Sequence, residues 1–93
     1  MQSFTLTRTD GLEYRFVPRN SSGTPAEYIR TDNADLTIGW EPGWGWCARD
    51  PGSGRIAGMS LDLPAALQGG QPPRGRWVSA KGETSYVYEL RYE

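Results

Sequence analysis

Residues 4–16 read Phe-Thr-Leu-Thr-Arg-Thr-Asp-Gly-Leu-Glu-Tyr-Arg-Phe. Apolar and polar side chains alternate on both sides of a central Asp-Gly pair, which is a strong turn signal. Alternation with a period of two is typical of a β-strand that is buried on one face only. The stretch therefore predicts a β-hairpin near the N-terminus.

The length of the hairpin loop follows from which side chains must share a face. A three-residue loop that ends at Gly11 places Leu6 opposite Tyr14. The same register puts Phe4 opposite Phe16, so that one face of the hairpin is continuously apolar. A two-residue loop would put the two apolar sets mostly on different faces, so burial favours the three-residue loop. Gly11 is then expected in the left-handed conformation that ends such a loop in a bulge.

The same alternation recurs between turn signals along the rest of the chain. Further strands are predicted at 27–30, 36–40, 44–48, 57–63, 76–80 and 84–93. In the strand at 57–63, apolar Ala57, Met59, Leu61 and Leu63 alternate with smaller or polar residues, and Asp62 is expected to face solvent. One short helical turn is predicted at 64–68, with proline at its first position.

A second hairpin is predicted at residues 40–46, which read Trp-Glu-Pro-Gly-Trp-Gly-Trp. A three-residue Glu-Pro-Gly loop would pair Trp40 with Trp44 and put the large side chains on one face. A two-residue Pro42-Gly43 loop is favoured by turn chemistry, since this dipeptide prefers a type II turn, and it shifts the pairing by one residue. Burial on a single face favours the three-residue loop.

These elements predict a single all-β domain over residues 1–93. Twelve glycines and seven prolines separate six to eight short strands, and no amphipathic helix is evident. Short connections between consecutive strands favour antiparallel hairpins over parallel pairing. We therefore expect a small antiparallel sandwich or a partly open barrel.

Charge and composition restrict the partners of the chain. The net charge is −1, and the nine arginines and one lysine are scattered, so the basic stripe that binds nucleic acid is missing and nucleic acid is an unlikely partner. No signal peptide and no apolar run of about 20 residues is visible, so no membrane association is expected. With one cysteine, Cys47, no intrachain disulfide can form, which favours a cytoplasmic location.

The residue types present exclude several kinds of catalysis. The chain has no histidine, which removes the commonest general base, the Ser-His-Asp and Cys-His arrangements and the usual zinc ligands. No phosphate-binding loop is present, and no metal or cofactor is predicted. Cys47 is interpreted as a small buried hydrophobe. Asp32 and Asp50 are interpreted as turn residues that cap their own backbone. The other carboxylates at or near predicted loops are Asp35, Glu41 and Asp62.

Large aromatic side chains are the best candidates for a functional surface. They pack a core, form a protein interface or provide a platform for a flat ligand. The candidate binding or interface residues are Trp40, Trp44, Trp46, Trp77, Tyr86 and Tyr88.

Three functions are consistent with these patterns. The leading hypothesis is a non-catalytic binding or protein-interaction module, which would form a homodimer if the strand at 84–93 lies at a sheet edge. The alternative is a domain that binds a small molecule or carbohydrate in a pocket lined by tryptophans. A further alternative is a hydrolase that uses a pair of carboxylates.

Overall fold

The computed structural model of the chain is an eight-stranded antiparallel barrel, and it describes residues 2–19, 27–50, 52, 54–81 and 84–93. The strands are β1 (Phe4–Arg8), β2 (Glu13–Pro18), β3 (Glu27–Arg30), β4 (Asn33–Glu41), β5 (Gly45–Arg49), β6 (Ile56–Ser60), β7 (Gly75–Lys81) and β8 (Thr84–Tyr92). The expected all-β fold with hairpin connections is confirmed. The sequence also predicts a polar loop at 18–26 and a turn at Lys81-Gly82, and most of this loop, together with Gly82, lies outside the described residues.

The barrel is closed, because the C-terminal half of β8 pairs with the whole length of β1. The register runs from Phe4 opposite Tyr92 to Arg8 opposite Tyr88. Each other strand pairs with the next one along the chain. The sandwich is thereby excluded, and β8 has a partner on both sides. Dimerisation by addition of a second copy to a free β8 edge is therefore not available to this fold.

The first hairpin has the predicted register. Phe4 pairs with Phe16 and Leu6 pairs with Tyr14. The loop is closed by the amide of Gly11, which donates to the carbonyl of Arg8 at 2.8 Å. Gly11 has a φ of +93°, so the left-handed residue that the three-residue loop requires is present.

The expected pairing of Trp40 with Trp44 is wrong. Trp40 pairs with Trp46, and the loop covers residues 42–44. The amide of Trp44 donates to the carbonyl of Glu41 at 3.0 Å, and Gly43 has a φ of +84°, as a type II turn with Pro42 and Gly43 at its centre requires. Pro42 and Gly43 thus form the turn that they prefer, and Trp40 and Trp46 still share one face. Both are possible because Trp44 is an extra residue between this turn and β5.

Strand β6 differs from the sequence expectation in both length and facing. It ends at Ser60, and Leu61 lies outside it and is exposed. Gly58 pairs with Ala48 and with Ser79, and Ala48 packs on the core. Since paired residues of neighbouring strands share a face, Gly58 points into the barrel and Met59 points outward. The inner face of β6 thus carries Gly58, and the larger Met59 is on the outer face.

The interior is packed with aromatic and aliphatic side chains. Phe4 stacks on Phe16 with ring centroids 5.3 Å apart, and Tyr28 meets the edge of Trp46 at 6.0 Å. The buried core cluster consists of Phe4, Leu6, Phe16, Tyr28, Ile38, Trp46, Trp77, Tyr88 and Leu90. The alternate residues of β8 from Tyr86 to Tyr92 lie on this inner face.

One end of the barrel, called here the closed end, is covered by the connection 61–74. This connection contains a single 3-10 turn, Ala65–Leu67, preceded by Pro64, which confirms the short helical turn predicted there. Its carbonyls accept hydrogen bonds from the core: the indole of Trp46 donates to Gly69 at 2.9 Å, and the indole of Trp77 donates to Pro73 at 2.9 Å. Buried indole N–H groups need such partners, so the connection is anchored to the core.

Alkaline pH is expected to destabilise the barrel. Burial raises the pKa of the phenols of Tyr28 and Tyr92 and of the thiol of Cys47. Because these groups lose their protons more easily in the unfolded chain, the free energy of unfolding should fall as the pH rises above about 9–10. We expect the Tyr92→Phe variant, measured by urea denaturation between pH 7 and 11, to lose less stability than the natural protein. Identical losses would contradict the prediction.

Candidate functional site: an apolar cavity at the open end of the barrel

The inside of the barrel holds a cavity of about 110 Å³ that is partly open to solvent. It lies toward the end opposite the connection 61–74, called here the open end, where β1 joins β2, β3 joins β4 and β5 joins β6. Its inner-face lining consists of Leu6, Tyr14, Phe16, Arg30, Leu36, Ala48, Gly58, Trp77, Ser79 and Tyr88. The lining is almost entirely apolar. An eight-stranded barrel is just wide enough to be filled by side chains or to hold one small ligand.

The cavity exists because one row of the barrel wall carries very small side chains. Ala48, Gly58 and Ser79 are direct neighbours on the inner faces of β5, β6 and β7. A Cβ atom built on Gly58 would lie 3.5 Å from the Cβ atoms of Ala48 and Ser79. These three residues, here called the small-residue row, do not extend far enough to fill the centre of the barrel.

Larger side chains form the rest of the cavity wall. Tyr14 and Tyr88 approach each other with ring centroids 6.2 Å apart, and Leu6 pairs with both Tyr14 and Leu90. Trp77 lines the cavity and also donates its indole N–H to Pro73 of the closed end. Its ring is thus held in one orientation, between the cavity and the closed end.

Arginine side chains lie over tyrosine rings at the rim of the open end. The guanidinium carbon of Arg30 is 4.2 Å from the ring centroid of Tyr14, and Arg30 is ion-paired with Asp32. Such contacts add a cation–π attraction to the packing of the arginine stem on the ring. Arg30 is therefore held in place at the cavity wall, and its positive charge is balanced by the carboxylate of Asp32.

A second pair of the same kind lies on β1 and β8. The guanidinium carbon of Arg8 is 4.4 Å from the ring centroid of Tyr86, and Arg8 forms a two-point ion pair with Asp10. These hydrogen bonds lower the pKa of Asp10 to about 2. Both rim arginines are thus paired with an acid two residues later in the chain.

One polar atom of the cavity lining has no partner. The hydroxyl oxygen of Ser79 is buried, and it makes no hydrogen bond with any described protein atom. Leaving such a group unpaired costs about 1–3 kcal/mol. It is the only buried side-chain polar atom without a partner among the described residues.

The chain matches no known protein family. A comparison with curated proteins and with solved structures also finds no match. The geometry of the chain itself therefore carries the functional argument.

The six aromatic residues singled out from the sequence do not form one site. Trp77 and Tyr88 line the cavity, and Tyr86 lies beneath Arg8 at the rim. Trp46 is buried at the closed end, with Trp40 against its edge at 6.0 Å. Trp44, in the hairpin loop, is 51% exposed. Their roles in binding stay predictions, and sequence reasoning missed most of the residues that line the cavity.

The carboxylates considered for hydrolysis are held apart by local contacts. Asp32 pairs with Arg30, and Asp62 pairs with Arg76 at 2.7 Å. The carboxylate of Asp50 accepts the amide of Gly52 at 3.0 Å, as expected for a turn residue. Glu41 pairs with Arg49, while the side chain of Asp35 is outside the described part of the chain. No group of three potential metal ligands occurs in the described residues.

Cys47 is fully buried, although the register places it on the outer face of the barrel. It lies opposite Gly39 on β4 and Met59 on β6. Burial raises the pKa of its thiol, which keeps the sulfur in its unreactive protonated form.

Within the described ranges, no helix has the length and apolar character needed to cross a bilayer.

Proposed function

We propose that the protein is a non-catalytic binding module that takes a small, predominantly apolar molecule into the open end of its barrel. The observation that supports this is the apolar cavity behind the small-residue row. Natural β-barrels commonly bind ligands at their mouths. The proposal keeps the small-molecule alternative from the sequence but places the ligand in the barrel interior and not on a surface of tryptophans.

The volume of the cavity sets the size of the ligand. At about 110 Å³, it is comparable with the ~150 Å³ apolar cavities that hold one benzene ring. A single aromatic ring or a short branched chain fits this space, with a longer part extending through the open end. The nearly apolar lining disfavours a carbohydrate, since sugar hydroxyls would lose hydrogen bonds to water there.

Several features support binding over catalysis. The carboxylates Asp32 and Asp62 form ion pairs with arginine, and the contact with Arg76 lowers the pKa of Asp62. A general acid at neutral pH requires the opposite shift.

A cytoplasmic location, consistent with one buried free cysteine, remains part of this proposal.

The experiment is a titration of the ¹⁵N-labelled protein with toluene, followed by amide chemical shifts. We expect saturable shifts at Leu6, Gly58 and Trp77. An Ala48→Leu variant should weaken binding at least tenfold, because the leucine side chain fills the space behind the small-residue row. The control is Trp44→Ala, which removes an exposed ring at the other end of the barrel.

The outcomes separate the cavity from the tryptophan surface. Saturable binding that is lost in Ala48→Leu and kept in Trp44→Ala supports the proposal. Absence of saturable shifts in the natural protein, or loss of binding only in Trp44→Ala, would overturn it. Both variants should first be shown to have cooperative thermal transitions, so that lost binding is not confused with lost folding.

A protein contact is the second candidate function. Among the residues that the structure describes, three of the four exposed large hydrophobic side chains belong to connections at the closed end, namely Trp44, Leu61 and Leu67. Exposed aromatic and aliphatic side chains of this kind supply much of the energy of protein interfaces. Association with a second copy or another protein stays a prediction, and the mass of the protein in solution at high concentration tests the first of these.

A further inference from the structure

We infer that the ligand of the cavity is neutral and carries one hydrogen-bonding group, such as a hydroxyl or a carbonyl, which bonds to the side chain of Ser79. This inference rests on the proposed function and specifies the chemistry of the ligand. It is drawn from three observations: the unpaired hydroxyl of Ser79, the position of Ser79 in the barrel wall and the ion pair of Arg30 with Asp32.

The hydroxyl of Ser79 has no protein partner to lose in the part of the chain that the structure describes, and a rotation about its Cα–Cβ bond turns it toward a ligand in the cavity. Its oxygen is buried without a protein partner among the described residues. A serine hydroxyl can donate one hydrogen bond and accept others, so it can bond to a ligand hydroxyl, carbonyl or amide. The buried polar group that is costly when unpaired becomes favourable when a ligand satisfies it.

The position of Ser79 directs its side chain toward the ligand space. The residue pairs with Gly58 on β6 and with Tyr86 on β8, and it has the same facing as the buried Trp77 two residues earlier. It lines the cavity at the small-residue row, where the neighbouring Gly58 has no side chain. The hydroxyl is therefore next to the part of the barrel that protein atoms leave unfilled.

The electrostatics of the wall favour a neutral ligand over an anion. Two charged residues line the cavity, Arg30 and Arg49, and the positive charge of each is already paired with a carboxylate, that of Asp32 and that of Glu41. An anion entering an apolar cavity would lose its hydration without gaining a free cation. A neutral group bonded to one serine loses less hydration.

Position within the closed barrel also separates Ser79 from Arg30. Arg30 is on β3 and Ser79 is on β7, four strands apart in a ring of eight, so they lie on opposite walls. A small ligand bonded to Ser79 thus faces Tyr14 and Arg30 with its apolar side. This arrangement predicts a ring that points its polar atom toward β7.

The test is a double-mutant cycle with phenol and toluene, which differ by a hydroxyl in place of a methyl group. Affinities are measured by amide chemical-shift titration of the natural protein and of Ser79→Ala. We expect Ser79→Ala to weaken phenol about three- to tenfold, which is the range of one hydrogen bond. The same variant should bind toluene equally well or more tightly, because the unpaired hydroxyl has been removed.

Ser85→Ala is the matched control, since it makes the same substitution at an exposed position on β8. It should leave both affinities unchanged. Benzoate provides the anionic arm, and it should bind more weakly than phenol at pH 7.

The result distinguishes this inference from the proposed function. Equal effects of Ser79→Ala on phenol and toluene, or tighter binding of benzoate than of phenol, would overturn the inference while leaving the cavity as a binding site. Absence of binding by both neutral compounds would overturn the proposed function itself, and the inference with it.

Discussion

Replacing Trp46 by alanine will destabilise the folded protein by about 3–5 kcal/mol, the usual cost of removing a large buried aromatic side chain. Trp46 is only 2% exposed, and its ring contacts the rings of Tyr28 and Trp40, each at 6.0 Å. The substitution also removes the hydrogen bond to Gly69 that ties the connection 61–74 to the core. Against a total stability of about 5–15 kcal/mol, this loss is large, and at the lower end of that range it leaves the variant only marginally folded.

Trp44→Ala is the control for this experiment, because it makes the same substitution two residues earlier. Trp44 is half-exposed, and the hydrogen bond from its backbone amide to Glu41 does not depend on its side chain. The free energy of unfolding from urea denaturation should change by no more than about 0.5 kcal/mol. Comparable losses for the two variants would contradict the placement of Trp46 in the core and of Trp44 outside it.

A Gly45→Ala substitution should cost about 2–4 kcal/mol. Gly45 has a φ of +78°, where a side chain is strained by about 1–2 kcal/mol. A Cβ at this position would also lie 2.5 Å from the amide oxygen of Gln68 and 3.0 Å from the Cβ of Ala65. Gln68 accepts the amide of Trp46 and donates to Leu63, both at 2.8 Å, so moving it away breaks these bonds.

Gly43→Ala separates the two contributions. Gly43 has nearly the same φ, +84°, but a Cβ built there meets no atom within 4 Å. We expect it to cost only the backbone strain of about 1–2 kcal/mol. If urea denaturation gives equal losses for the two variants, the close approach of Gly45 to the connection 61–74 is not energetically important.

The first hairpin could be predicted in detail because two independent requirements agree there. Phe4 and Phe16 must share a face, and Asp10-Gly11 is suited to the loop that achieves this. In the second hairpin the same reasoning found the correct face but placed the loop one residue too early. Gly45, which permits a left-handed residue directly after the turn, was the available signal.

The cavity could not be predicted from the sequence, because it depends on pairing between strands that hydrophobic alternation does not specify. In β6, the sequence alternation predicts that the apolar residues Ala57 and Met59 face the core. The register instead aligns Gly58 with Ala48 and Ser79, so the smallest residues of three strands face inward together. Barrel closure likewise depends on pairing between β1 and β8, which are separated by most of the chain.

A crystal structure of the protein under xenon pressure would show whether the barrel closes around an apolar cavity, since xenon enters such cavities. We predict one xenon atom inside a closed barrel, in contact with Leu6, Gly58 and Trp77. A barrel with xenon bound only on the outer surface near Trp44, or with β1 and β8 unpaired, would contradict it.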